Sequence, residues 1–205
     1  MRYIDLTQVL NETTPIYPGD YQTTLQLHNT IDKDHYCSYL LSSCLHTGTH
    51  IDLPMHMLQD PRFVADYDLE LFAGKGVLLD VRGEELINMK DCYEEMIVNG
   101  SVVLLYTGYD KYYNTQDYFT RHPVVSDELA DFLLSKRIKI LGMDMPAPDY
   151  PPFTLHKALL EKDIFILENL TNLNSLVDVK NFELLAFPLK ISAEASFVRA
   201  VARIE

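Results

Sequence analysis

The sequence predicts a single α/β domain over residues 1–205, built on a mixed sheet with several antiparallel pairings. Three observations lead there. Short segments rich in β-branched and aliphatic residues recur along the whole chain, helical stretches are few, and many strand segments follow one another too closely for helical crossovers. With 47% hydrophobic and 23% charged residues, the chain has the balance of a globular domain with one sizeable core.

Taken in order, residues 2–7 alternate polar and apolar like a strand, and residues 23–28 and 36–45 give two more. Residues 46–56 read as a strand end turning into a loop. Residues 76–81 and 101–106 are strand segments separated by Glu84 to Val98, whose composition is helical and which Asn99-Gly100 can stop. Ser126 can cap a helix running to about Lys136, followed by a strand over 138–143. Thr154 can cap a short helix carrying Leu155, Ala158 and Leu159 on one side. Strands over 163–167, 182–187 and 198–203 complete the set.

Charge excludes one class of partner. A formal net charge of −13 repels a phosphate backbone, and no Lys/Arg cluster interrupts the acidic background, so nucleic acid is not expected. The N-terminus lacks the apolar stretch of a secretory signal, and aliphatic runs such as Val102 to Leu105 are far too short to span a bilayer. A cytoplasmic chain without membrane contact is the expectation. Cys37, Cys44 and Cys92 are odd in number and show no C-x-x-C spacing, so they read as buried free thiols.

The chemistry concentrates in residues 46–56, His46-Thr-Gly-Thr-His50-Ile-Asp52-Leu-Pro-Met-His56, which hold three of the seven histidines. In an extended strand the side chains at 46, 50, 52 and 56 would share a face. They would also be spread over far more than the ~3 Å that separates ligand atoms around one ion. The chain must curl, and Gly48 supplies the conformational freedom while Pro54 ends regular pairing. Imidazoles and a carboxylate suit Zn²⁺, Mn²⁺, Fe²⁺ or Co²⁺, and three protein ligands (His46, His50, Asp52) leave positions open, as catalytic sites do. His156 at the start of the short helix and Glu168 after the strand that follows form a second half-site. If they meet Asp52, its two oxygens can bridge two ions about 3.5–4 Å apart.

These residues resemble the cyclase-like metal-dependent hydrolases that include bacterial kynurenine formamidase and isatin hydrolase. Residues 46–56 match the signature H-x-G-T-H-x-D-x-P-x-H in full. Tyr17-Pro18-Gly19-Asp20 is similar to the family's Trp-Pro-Gly-Asp, Thr107-Gly108-Tyr109 to its Thr-Gly-Trp, and Gly142-Met-Asp144 with Asp149 to its Gly-x-Asp segment. His156, followed twelve residues later by Glu168-Asn-Leu, has the expected interval, and residues 186–190 and Val198-Arg-Ala-Val201 look like the C-terminal strands.

The resemblance implies a mixed-sheet β/β/α fold of the swivelling-domain type and a homo-oligomer, a homodimer or homotetramer. It further implies one metal on His46, His50 and Asp52, a second on Asp52, His156 and Glu168, and His56 as proton donor and acceptor. The implied activity is hydrolysis of a small amide (an aryl formamide, lactam or cyclic imide) by metal-activated water, with Zn or Mn as the metal. Two departures bear on substrate. Tyr17 stands where the formamidases place a Trp near the substrate ring, and Ser196-Phe197 replaces a Gly-Ser-Pro-like turn.

The residues leave two other readings open. His50, Asp52 and His156 also compose a 2-His-1-carboxylate triad of the Fe(II) oxygenase kind, and a metal-stabilised binding protein would keep the ligands without turnover. Asp144 and Asp149 either orient ligand histidines or serve turns and caps. Tyr109, Tyr112, Tyr113, Tyr118 and Phe119 read as a lid or a subunit contact, and His28, His35 and His122 as solvated.

Overall fold

Val102, Val103, Leu104 and Leu105 are consecutive apolar residues, and all four are fully buried because their strand is covered on both faces. The computed structural model describes residues 1–115 and 117–204. In chain order its elements are β1 (Arg2–Asp5), β2 (Thr24–Asn29), α1 (Ile31–Asp34), β3 (Ser38–Ser42), β4 (His50–Asp52), β5 (Ala73–Asp80) and β6 (Leu86–Ile87). They continue with α2 (Tyr93–Met96), β7 (Val102–Tyr106), β8 (Val124–Val125), α3 (Asp127–Ser135), β9 (Ile140–Met143), α4 (Thr154–Leu160), β10 (Phe165–Glu168), β11 (Phe182–Leu185), β12 (Ala195–Phe197) and β13 (Val201–Ile204).

Nine strands form one mixed sheet in the order β1-β13-β11-β5-β7-β9-β10-β4-β12. The central strands β5, β7, β9 and β10 run parallel, and antiparallel strands flank them on both sides. This is the predicted mixed α/β sheet. Alternation along β7 sends Val102 and Leu104 into one apolar layer with Phe165, Leu167 and Leu184. Val103 and Leu105 enter the other, with Ile166 and with Leu129, Leu133, Leu155 and Leu159 from α3 and α4. Gly76 on β5 has no room for a side chain, because a Cβ there would collide with the Phe182 ring on β11. A separate hairpin, β2 with β3, stands outside the large sheet. No helix among the described residues is long and apolar enough to cross a membrane.

Four local expectations are corrected. Cys37 and Cys92 are exposed and Cys44 is half-buried, rather than all three buried, because none of them belongs to either apolar layer of the sheet. Residues 84–98 are not one helix: Leu86–Ile87 pair in parallel with Val124–Val125, and only Tyr93–Met96 make a single helical turn. Helical composition lost to this non-local pairing because only Ile87, Tyr93 and Ile97 of the segment reach the core, which is no continuous apolar stripe. Thr154 is the first residue of α4 rather than its cap; Phe153 precedes it at φ 58°, and the Asp149 carboxylate accepts from Leu155 N at 2.8 Å instead. His122 is buried rather than solvated, its ring 4.2 Å from that of Tyr150. The Ser126 cap of α3 holds, with its side chain accepting from Leu129 N.

Candidate metal centre

The antiparallel register of β4 and β10 places Glu168 directly opposite His50 and Ile166 opposite Asp52. Ile166 belongs to the layer that α3 and α4 cover, so His50, Asp52 and Glu168 point to the helical side of the sheet. His156, in the first turn of α4, meets them there. Gly48, at φ +69°, lets the chain curl so that His46 returns to the same point.

Two groups of ligand atoms result, His46/His50/Asp52 and Asp52/His156/Glu168, and within each group the atoms lie within 4.8 Å of one another. Asp52 belongs to both. The inner contacts are His46 Nδ1 to Asp52 Oδ1 at 2.9 Å, His50 Nε2 to Asp52 Oδ1 at 3.4 Å, and His156 Nε2 to Glu168 Oε1 at 3.2 Å.

The outer nitrogen of each histidine is held by an acceptor. His46 Nε2 faces Glu194 Oε1 at 3.3 Å, His50 Nδ1 faces the Gly48 carbonyl at 2.8 Å, and His156 Nδ1 bonds Asp149 Oδ1. A carbonyl only accepts, so His50 Nδ1 carries the proton and its Nε2 turns a lone pair toward Asp52. Among the described residues, neither His50 Nε2 nor Asp52 Oδ1 has a hydrogen-bond partner, and both are buried. Two facing buried acceptors are costly unless a cation lies between them, so the residues fit a divalent metal. The donor set of imidazole and carboxylate suits Zn²⁺, Mn²⁺, Fe²⁺ or Co²⁺ alike.

Electrostatics separate His56 from His46 and His156. Burial alone would depress His46 and His156, but Asp52 and Glu194 hold His46 up at about 11, and Asp149 and Glu168 hold His156 up at about 10. The cluster attracts positive charge. His56 is different: burial, reinforced by neighbouring histidines, brings it down to about 4. It lies outside both ligand groups, its ring 4.1 Å from that of His46, and it lines the adjoining pocket as a neutral base.

That pocket, about 200 Å³, is bounded by Tyr17, Met57, Phe119, Ala147 and Phe153 and floored by His46, Asp52, His156 and Glu168. Tyr17 and Phe119 meet edge to face at 5.7 Å. Of the aromatic segment after Thr107, Phe119 lines the pocket, and Tyr118 packs behind it: the Tyr118 hydroxyl donates to Asn169 Oδ1 at 2.8 Å while Asn169 Nδ2 donates to the Gly48 carbonyl at 3.0 Å. Of the two aspartates left open by the sequence, Asp149 both orients His156 and caps α4. Asp144 instead receives Thr107 N, Thr107 Oγ1 and Gly108 N, which fixes a turn.

Glu194 and Asn169 carry no sequence signal of their own. Glu194 arrives because its carbonyl accepts from Leu53 N at 3.1 Å, one residue after Asp52. Asn169 could have been suspected only as the neighbour of Glu168.

Fold and site together define a mixed α/β protein with a buried, metal-seeking cluster of two groups beneath an aromatic pocket. The family model described as "Putative cyclase" matches residues 4–150. Kynurenine formamidase of Bacillus cytotoxicus is 30% identical over 206 residues, covering 98% of this chain and 97% of that one. Kynurenine formamidase of Bacillus mycoides is 32% identical over 209 residues with the same coverage, 98% and 97%. Isatin hydrolase A from Ralstonia solanacearum shares the fold, with a TM-score of 0.86 at 22% identity over 100% of this chain and 92% of that one. The chain belongs to the cyclase family.

Proposed function

We propose that the chain is a metal-dependent, arylformamidase-like hydrolase that cleaves the C–N bond of a small aromatic amide. The carrying observation is the convergence of the inner donor atoms on Asp52, with His50 Nε2 and Asp52 Oδ1 buried and, among the described residues, without a hydrogen-bond partner. His46, His50 and Asp52 would hold one ion and Asp52, His156 and Glu168 a second, with Zn²⁺ or Mn²⁺, two of the ions this donor set suits, as the proposed metals. A divalent cation there supplies Lewis acidity, making water more acidic and a carbonyl carbon more electrophilic.

The chain's own residues do the rest. The aromatic walls take up a planar ring; a cavity of ~150 Å³ already accepts benzene, and this one is about 200 Å³. Tyr17 gives that ring an aromatic face, as a Trp would. His56, neutral and in the pocket, accepts the proton from the attacking water and returns it to the leaving nitrogen. The oxygenase alternative has less support, because His46 and Glu168 both join the cluster and a facial triad needs neither. We further propose a cytoplasmic homodimer or homotetramer, which light scattering would size.

The test is an anaerobic hydrolysis screen of metal-loaded protein against formyl-arylamines, isatin-like lactams and cyclic imides. Release of arylamine or ring-opened acid is expected. Binding of these compounds without turnover would favour a binding protein, and turnover that requires oxygen would overturn the hydrolase reading.

A further inference from the structure

His50 Nδ1 has its acceptor two residues back, in the Gly48 carbonyl at 2.8 Å. Gly48 stands at φ +69° and has no Cβ, so its backbone does not by itself fix the direction of that carbonyl. A side chain from another strand end does so instead. Asn169, one residue past β10, donates its Nδ2 to the same carbonyl at 3.0 Å.

Asn169 is itself held at several points. Its backbone N donates to the Met145 carbonyl, and its carbonyl accepts from Thr49 Oγ1 at 2.7 Å, so it grips both residues of the Gly48–Thr49 peptide. It stands at φ 57°, in the left-handed region where Asn is one of the few residues with a side chain to be at ease. A carbonyl only accepts, so Nδ2 is the end of the amide that faces Gly48, and Oδ1 faces the Tyr118 hydroxyl, which donates to it at 2.8 Å. Tyr118, Asn169 and His50 are all buried, where bulk water is poorly placed to replace a lost donor. One line of hydrogen bonds therefore runs from Tyr118, behind the pocket wall, through Asn169 and the Gly48 carbonyl to the ring of His50.

Resting on the metal-dependent reading above, we propose that Asn169 is a positioning residue for His50. It holds the Gly48 carbonyl as the fixed acceptor that keeps the His50 proton on Nδ1 and leaves the Nε2 lone pair turned toward Asp52. Tyr118 sets which end of the Asn169 amide faces Gly48. Neither residue is a ligand.

The test follows the imidazole N–H protons by NMR in zinc-loaded protein carrying isotope-labelled histidine. His156 Nδ1 is held by Asp149 and not by this line, so it serves as the internal reference. Asn169→Gly removes the side chain while tolerating the left-handed backbone, and Tyr118→Phe removes only the hydroxyl while the ring keeps its packing on Tyr109, Tyr113 and Phe119. Exchange of the His50 proton with water is expected to quicken roughly tenfold in Asn169→Gly and by a smaller factor in Tyr118→Phe, with the His156 proton unchanged in both. Zinc affinity, read by competition with a chelator, is expected to fall roughly 10–100-fold in Asn169→Gly. A His50 proton that is unchanged in both variants, or that changes together with the His156 proton, overturns the proposal. Tyr118→Phe keeps the test decisive even if Asn169→Gly does not fold. Zinc-loaded wild type that protects the His50 proton yet cleaves no amide would instead bring down the reaction assigned above and leave the role of Asn169 standing.

Discussion

His50 and Glu168 sit directly opposite each other in the β4–β10 pair, and His50 Nε2 ends 3.5 Å from Glu168 Oε2. One register therefore joins the two ligand groups. A shift of one residue would turn His50 and Asp52 to the opposite face of the sheet together, so the pairing specifies the site as strictly as the ligand residues do.

Asp52 is shared, whereas Glu168 serves one group only. Asp52→Asn is expected to lose both ions, and Glu168→Gln to keep the ion on His46, His50 and Asp52. Metal analysis after gel filtration distinguishes the two. Equal loss in both variants would mean that the groups do not fill separately.

Glu194 holds the outer nitrogen of His46 at 3.3 Å without being a ligand itself. Glu194→Gln should weaken metal binding roughly 10–100-fold, the usual consequence of removing a partner that orients a ligand histidine. Competition with a chelator reads this directly, and an unchanged affinity would show that His46 needs no such support.

His56 lies outside both groups, so His56→Ala should keep its full metal content while kcat falls by about 10²–10⁴. Metal loss parallel to the loss of turnover would make His56 a ligand instead.

Asp144 gives a pH test away from the ligands. Burial pushes its carboxyl up to about 6, although Thr107 and Gly108 donate to it. A carboxyl whose folded pKa exceeds its unfolded value near 3.8 keeps its proton longer in the folded chain, so its contribution to stability is complete at low pH and is lost as pH rises toward 6. The stability advantage of wild type over Asp144→Asn should therefore narrow between these limits, by at most ~3 kcal/mol. Urea titrations at a series of pH values check it. A widening gap would show that the three donors hold the carboxylate ionised.

The legible parts of the site were those encoded locally. Residues 46–56 carry their ligands within one segment; His156 and Glu168, across a single helix-to-strand return, are suggested by spacing and named as ligands only through the family resemblance. Glu194 was not legible, because it reaches His46 only through the contact of its own carbonyl with Leu53. The same holds for the fold. The strands of the central sheet are apolar segments that declare themselves, whereas Leu86–Ile87 is a strand only because Val124–Val125 lies beside it. Asp149 displaced Thr154 as the cap of α4 for a similar reason: its side chain reaches forward over six residues to accept from Leu155 N, outside the local pattern that capping follows.

The most direct test is to strip the protein of metal, add Zn²⁺ or Mn²⁺ back in steps without oxygen, and follow formate release from formanilide against bound metal. The account predicts no turnover in the stripped protein and turnover that rises with occupancy until the Asp52 groups are filled. Fully loaded protein that leaves the formamide intact, or turnover in the stripped protein, would contradict it.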